Sequence, residues 1–305
     1  KGHAQESLAI RRSLGDSRGT VQALWILGMS LENLGDLAEA ERLARECIDV
    51  SRRTGDETML TDARMLLNTV LQDAGRYEEA RLGREEELAF YRARGNRQRI
   101  VRTLNTLAFS NLHLARYQEA RAVAQEGMSS SCESGLLFFA ARCSQALGRV
   151  ALAEGAYGVS KADFQESVDL YSEAGSPTPV GDAFVELAYA ARGLQDQAQA
   201  REYLRTGLRI VADIGRRPTA LLALPVAALL LADDGEVERA VELYALASRY
   251  PYVANSRWFE DVAAREIDAL AANLPPEAVA AAQERGRTRE LWATAEELLR
   301  ELEKA

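Results

Sequence analysis

"GDLAEA" at 35–40, "GRYEEA" at 75–80 and "ARYQEA" at 115–120 begin forty residues apart each time. Units of forty counted from Val21, Thr61, Val101, Ala141, Gly181 and Leu221 bring further columns into line. The twentieth place reads Ala40, Ala80, Ala120, Ser160, Ala200 and Ala240, all small. The seventh reads Leu27, Leu67, Leu107, Leu147, Leu187 and Ala227. A third column, Gly15, Gly55, Gly95, Gly135, Gly175 and Gly215, runs without a slip. Self-similarity at a fixed period of about 20–50 residues is the mark of a stacked array.

Within a unit, apolar or small residues fall at places 4, 7, 8 and 11, as in Leu24, Leu27, Gly28 and Leu31. That spacing predicts a helix. Gly35, Gly75, Gly155 and Gly235 follow at place 15, where a helix end favours left-handed backbone. A second stripe (Ala40, Leu43, Ala44, Cys47, Ile48) predicts a second helix, ended by the Gly55 column. Neither helix buries its stripe alone, so antiparallel pairs must stack on one another. Small residues at places 8 and 20 suit close backbone crossings. The fold class expected is all-α, an α-solenoid of helix hairpins with a C-terminal helical cap. Its divisions are 1–20, the second helix of a truncated repeat; six pairs at 21–60, 61–100, 101–140, 141–180, 181–220 and 221–260; and 261–305, a degenerate repeat and capping helices. The start at Lys1 without Met reads as a piece of a longer protein.

Several of these residues carry a family resemblance. Leu27-Gly28, Gly35-Asp36, Ala40, Cys47-Ile48, Tyr77 and Tyr117 resemble the tetratricopeptide repeat pattern over about 1–255. The forty-residue unit, with "ESLAIRRSLGDSRG" at 6–19, is similar to repeats of bacterial STAND-class signalling ATPases and maltose-activator-type regulators. The resemblance implies a right-handed superhelix whose inner wall holds peptide segments or partner helices. Arg64, the inward Asn68 and Asn111, Arg84 and Gln195–Gln197 depart from the pattern.

The 305 residues are 47% hydrophobic with net charge −9 and only three lysines, Lys1, Lys161 and Lys304. An acidic chain without a basic run argues against nucleic acid or an anionic membrane as partner. No uncharged apolar run approaches the roughly 18 residues of a membrane span, and no stretch reads as a signal peptide. Cys47, Cys132 and Cys143 form no CxxC pair, which reads as a reduced, cytoplasmic protein.

Catalytic chemistry finds no footing. There is no phosphate loop, and His3 and His113 are too few for a metal cluster with the cysteines. Ser129–Cys132 reads as a helix end, Cys47 as packing, and Glu85-Glu86-Glu87 as a solvated face. The expectation is no enzyme, no cofactor and no metal.

A ligand is expected on the wall formed by the first helices, at places 2, 5, 9, 12 and 13. Units one and two offer Gln22, Trp25, Met29, Glu32 and Asn33, then Asp62, Met65, Thr69, Gln72 and Asp73. Units three to five offer Arg102, Asn105, Phe109 and His113, then Arg142, Gln145 and Arg149, then Asp182, Tyr189 and Arg192. Four arginines beside one aspartate suit an acidic stretch, since the guanidinium fork grips carboxylates. Trp25, Met29 and Met65 suit an apolar stretch. The partner expected is thus a protein or peptide segment, with a small molecule as a second possibility. The function expected is a sensor or partner-binding module of a larger signalling ATPase or transcription regulator. A passive assembly scaffold and a small-molecule sensor are the alternatives.

Beyond Asn255, a candidate left-handed cap, Phe259, Val262, Ala263, Ile267, Leu270 and Leu274 form a stripe ending at Pro275-Pro276. Ala280 falls on the small column, Gly286 reads as a helix breaker, and Leu291, Ala295, Leu298, Leu299 and Leu302 mark a last helix. Tyr250, Tyr252, Trp258 and Phe259 fit either the core of a cap or a binding pocket.

Overall fold

The computed structural model describes residues 2–176 and 179–304, except for the side chains of 2–5, 7 and 33, so His3 and Asn33 lie outside the described side chains. Among the described residues there are helices and no strands. The chain divides into two compact units, Lys1–Gly95 and Asn96–Ala305.

The first unit holds α1 (Gly2–Ser13), α2 (Ser17–Leu34), α3 (Leu37–Thr54), α4 (Glu57–Asp73) and α5 (Tyr77–Ala93). The second begins with α6 (Arg97–His113), α7 (Tyr117–Glu133), α8 (Leu137–Ala153), α9 (Tyr157–Glu173), α10 (Val180–Gly193), α11 (Gln197–Ile214), α12 (Arg217–Asp233) and α13 (Val237–Ala247). In each unit every helix packs on the next in chain order, and α2 on α4, α6 on α8, α8 on α10 and α10 on α12 align the first helices of successive pairs. Each unit is therefore a stack of helix hairpins.

Local chemistry sets the helix ends. Asp16, Asp36, Asp56, Asn96 and Asp196 cap their helices by accepting a backbone N–H three residues on. Both glycine columns take positive φ, for example Gly35 at 84° and Gly55 at 71°. Ala115 (φ 56°) and Gln195 (φ 63°) adopt the same left-handed turn without glycine. The small column sits at the crossings: Ala40, Ala80, Ala120, Ser160, Ala200 and Ala240 are all fully buried. A Cβ on Gly28 would stand 2.9 Å from Leu66 Cδ2, which explains a glycine at place 8. Leu107 is buried as expected, whereas Leu147 is only partly so.

Two polar departures resolve differently. Arg64 points outward and pairs with Glu86 at 3.5 Å. Asn68 and Arg84 are buried together with Glu87, to which the Asn68 amide donates at 2.5 Å. Glu87 is thus no part of a solvated face. It is the carboxylate that satisfies an inward asparagine and an inward arginine.

After α13 come α14 (Pro251–Ala254) and α15 (Arg257–Phe259), a π-helical turn (Glu260–Ala264), then α16 (Arg265–Ala271), α17 (Pro276–Thr288) and α18 (Leu291–Leu302). Asn255 ends α14 at φ −97°, so it is no left-handed cap. Gly286 lies inside α17 and breaks nothing. A Cβ there would stand 2.1 Å from the Glu242 carbonyl oxygen, so it is the point where α17 crosses α13. Ala280 is exposed, and Ala282, one turn before Gly286, is the buried alanine of that crossing. α18 packs on α11 and α12 through Leu291, Ala295 and Leu298. α12 is buried on nearly every face because α10, α11, α13, α16 and α18 all touch it.

Candidate partner-binding wall

In the first unit the wall is carried by α2 and α4. Trp25 and Met29 are half-buried and lean on the cluster of Leu24, Leu27 and Leu66. Met65 is buried on α4, so it offers an edge rather than a face. Asp62 accepts from the Tyr91 hydroxyl at 2.8 Å, and Thr69 Oγ1 accepts from Arg84 at 3.0 Å. The accessible part of this wall is therefore apolar, at Trp25 and Met29, with polar neighbours fixed by α5.

In the second unit the wall of α6, α8 and α10 is already covered. The segment from Tyr252 through the π turn to Glu266 lies over it and covers His113, Arg149 and Tyr189. Asn105, Phe109 and Gln145 are buried as well, held by Arg142, by the cluster of Ala108 and Ala146, and by Glu186 and Tyr171. The His113 ring Nδ1 meets the Ser256 hydroxyl at 2.7 Å. The Trp258 indole N–H donates to the Arg149 carbonyl at 3.0 Å. Tyr117 donates to the Asp261 carboxylate, and Arg192 binds Glu266 from the segment and Asp233 at 2.7 Å from α12. Trp258, with no exposed surface, stacks edge-on against Phe259 at 4.9 Å, and Tyr252 stacks on both Phe259 and His113. Of the two readings of these aromatics, the core of a cap is the one the contacts bear out.

Polar groups lie beneath this lid. Arg149 pairs with Glu186, and its guanidinium sits 5.0 Å from the Phe109 ring and 5.1 Å from the Trp258 ring. Gln145 donates to Glu186 at 2.7 Å and accepts from the Tyr171 hydroxyl at 3.1 Å. Burial pushes the Glu186 carboxyl up to about 7, against the pull of Arg149. Burial, then the charge of Arg149, holds His113 well below the usual imidazole range. Asp182 accepts from Arg216 at 3.0 Å and from Thr219. Tyr189 donates to the Leu222 carbonyl at 3.0 Å.

The four arginines therefore differ. Arg149 and Arg192 already hold carboxylates of the chain itself. Arg142 is partly buried, donates to Asn105 at 2.6 Å and lies 4.8 Å over the Phe109 ring; Arg102, two helices earlier on α6, is partly buried and has a contact of its own within the chain. Sequence reading missed Glu186, because place 6 was not counted as wall-facing, and missed Ser256, Asp261 and Glu266 because they lie outside the repeat. A cleft of about 320 Å³ opens at the seam, with Tyr157, Tyr189 and Arg192 on the wall side and Asp261, Val262 and Glu266 on the segment side. Among the described residues no group of three or more His, Cys, Asp or Glu side chains is placed to hold a metal ion, and no helix is long and apolar enough to cross a membrane. Cys47 and Cys143 are buried free thiols, the first pushed up to about 12 by burial; Cys132 is free and exposed.

Comparison with known proteins agrees with this geometry. Residues 21–54 match the tetratricopeptide repeat family model. No curated protein matches the sequence. The structure of the Rap conjugation gene regulator of plasmid pLS20, in complex with the Phr* peptide, is similar at TM-score 0.63 and 10% identity, over 87% of this chain and 79% of that one. BtubC (BKLC) from P. vanneervenii is similar at TM-score 0.56 and 19% identity, over 70% of this chain and 90% of that one. A STAND protein with a tetratricopeptide repeat sensor from Pyrococcus horikoshii matches at TM-score 0.49 and 15% identity, over 82% of this chain and 38% of that one, a likeness too slight to bear on this chain. The fold is that of a tetratricopeptide-type array.

Proposed function

We propose that this chain is a polypeptide-binding module that holds a partner segment against the first helices of its repeats. The observation that carries the reading is the covered wall of the second unit. There α6, α8 and α10 already grip a stretch of polypeptide through buried aromatics, an indole-to-carbonyl bond and a carboxylate contact at Arg192, with a second carboxylate held by Tyr117 at the start of α7. A wall that holds one segment so specifically has the chemistry to hold another. The pLS20 regulator, of the same fold, carries a peptide in its structure.

The accessible groups narrow the partner. Within the second unit Arg102 and Arg142 favour an acidic segment; within the first, taken by itself, Trp25 and Met29 favour an apolar one. The forty-residue unit and the stretch at 6–19 favour a place in a larger signal-transducing ATPase or transcription regulator, where partner binding would shift the parent between states through differential affinity. Cytoplasmic placement accords with the free thiols.

Selection of a displayed random-peptide library on the purified chain tests this reading. Selected peptides should lose about tenfold in affinity, measured by fluorescence anisotropy, on Arg102→Glu with Arg142→Glu or on Trp25→Ala with Met29→Ala. A library that yields no binder, or binders indifferent to both double variants, would overturn it.

A further inference from the structure

The wall under the segment is unlike the rest of the core. α12 presents Leu222, Pro225 and Leu229 at places 2, 5 and 9, all apolar and buried. α6, α8 and α10 meet the segment at His113, Arg149 and Arg192, polar groups of which the first two are buried, with Glu186 bonded behind Arg149 and Gln145 bonded to Glu186. Burying such groups carries a desolvation cost that is recovered whenever water returns. On the wall's own side, polar groups regain water when uncovered, as leucines would not. The covering piece is itself irregular: two helices of four and three residues and a π turn, joined at Ser256, with a cleft already open along one edge. π turns inside helices concentrate at working sites.

We propose that the segment Ser256–Glu266 is an internal stand-in for the partner, and that a partner segment of the same chemistry displaces it from α6, α8 and α10. This rests on the polypeptide-binding reading above. The contacts specify the competitor. It carries a hydroxyl for His113, adjacent aromatic residues two and three places further on for Arg149, Tyr189 and the His113 ring, and carboxylates that reach Tyr117 and Arg192. The chain's own version reads "SRWFEDVAARE" at 256–266. Displacement exchanges one covered state for another, so the closed form limits affinity by the fraction of time that the wall stands open.

The probe is a labelled synthetic peptide of residues 250–267, with a control in which both Trp258 and Phe259 are alanine. Hydrogen exchange of the intact chain should rise at least about tenfold over 252–264 when the unlabelled probe is saturating, and not with the control. Joining Arg192→Cys to Glu266→Cys with a short bismaleimide, in a Cys132→Ser background, should abolish that response and weaken probe binding about tenfold or more. The Trp258→Ala, Phe259→Ala chain, if circular dichroism shows it folded, should bind the probe about tenfold more tightly than the intact chain. If that chain unfolds, the crosslink comparison stands alone. Binding equal in linked and unlinked chains, or exchange over 252–264 unmoved by the probe, would overturn the proposal. If library peptides still bind through Trp25 and Met29 while this probe is ignored, the inference fails and the polypeptide-binding reading stands.

Discussion

The indole N–H of Trp258 donates to the backbone carbonyl of Arg149 across 3.0 Å, joining residues 109 apart in sequence. That carbonyl belongs to α8, so a side chain from outside the repeat is keyed to one turn of a repeat helix. Trp258→Ala removes the bond and the largest side chain of the cover. The loss should be about 3–5 kcal/mol of unfolding free energy. Trp292→Ala, at a partly buried position on α18, should cost less, roughly 1–2 kcal/mol. Urea denaturation of the two variants checks the order, and equal losses would place Trp258 outside the core.

Arg149 and Glu186 make a second relationship that mutation can separate. Glu186→Gln leaves a fully buried guanidinium without its carboxylate and should cost about 3–5 kcal/mol. Arg149→Met combined with Glu186→Leu removes both charges and should recover most of that loss, since a buried ion pair replaced by apolar side chains is often neutral. A double-mutant cycle in urea measures the difference. Additive losses in the cycle would mean that the two groups do not act as a pair.

His113 gives the acid limb of stability a defined sign. Buried against Arg149, it stays neutral in the folded chain well below the usual imidazole range, while the unfolded chain takes up a proton near 6.5. Its contribution is therefore complete above about pH 6.5 and is lost as pH falls, by about 1.4 kcal/mol per unit until the folded value is reached. Glu186, pushed up to about 7, works in the opposite sense, losing stability as pH rises from its unfolded value towards 7. Both the wild type and His113→Gln carry Glu186, so it cancels between them. Between pH 7 and pH 5 the wild type should lose more stability than His113→Gln, at up to about 1.4 kcal/mol per unit below pH 6.5, as read from urea midpoints.

These residues show why the stack was legible and the cover was not. Helix spacing, aspartate caps and left-handed glycines are decided within a few residues, so the columns through Ala40 and Gly55 predict helix pairs directly. That Asn105, Gln145, Arg149 and Tyr189 face one wall follows from the same periodicity. That Arg149 and Tyr189 are covered by Trp258, and His113 by Ser256 across 143 residues, does not follow, because the covering stretch has left the repeat. Gly286 makes the same point in reverse. A lone glycine in a polar stretch reads as a breaker, and only the Glu242 carbonyl of a neighbouring helix shows that it is a contact. Glu87 reads as solvated beside Glu85 and Glu86 because Asn68, the group it satisfies, lies nineteen residues away on another helix.

Ala115 and Gln195 close the hairpins of their repeats at φ 56° and 63°, where Gly35, Gly75, Gly155 and Gly235 stand in the others. A side chain in left-handed backbone costs roughly 1–2 kcal/mol, and glycine returns part of that gain through the greater freedom of the unfolded chain. Ala115→Gly and Gln195→Gly should each stabilise the fold by about 0.5–1 kcal/mol. Gly155→Ala should do the reverse by about 1 kcal/mol, with no steric term, because nothing lies within 4 Å of the added Cβ. Thermal melts of the three variants separate backbone strain from packing. If Ala115→Gly lowered the midpoint while Gly155→Ala left it unchanged, these turns would not be set by backbone conformation, and the glycine column would need another explanation.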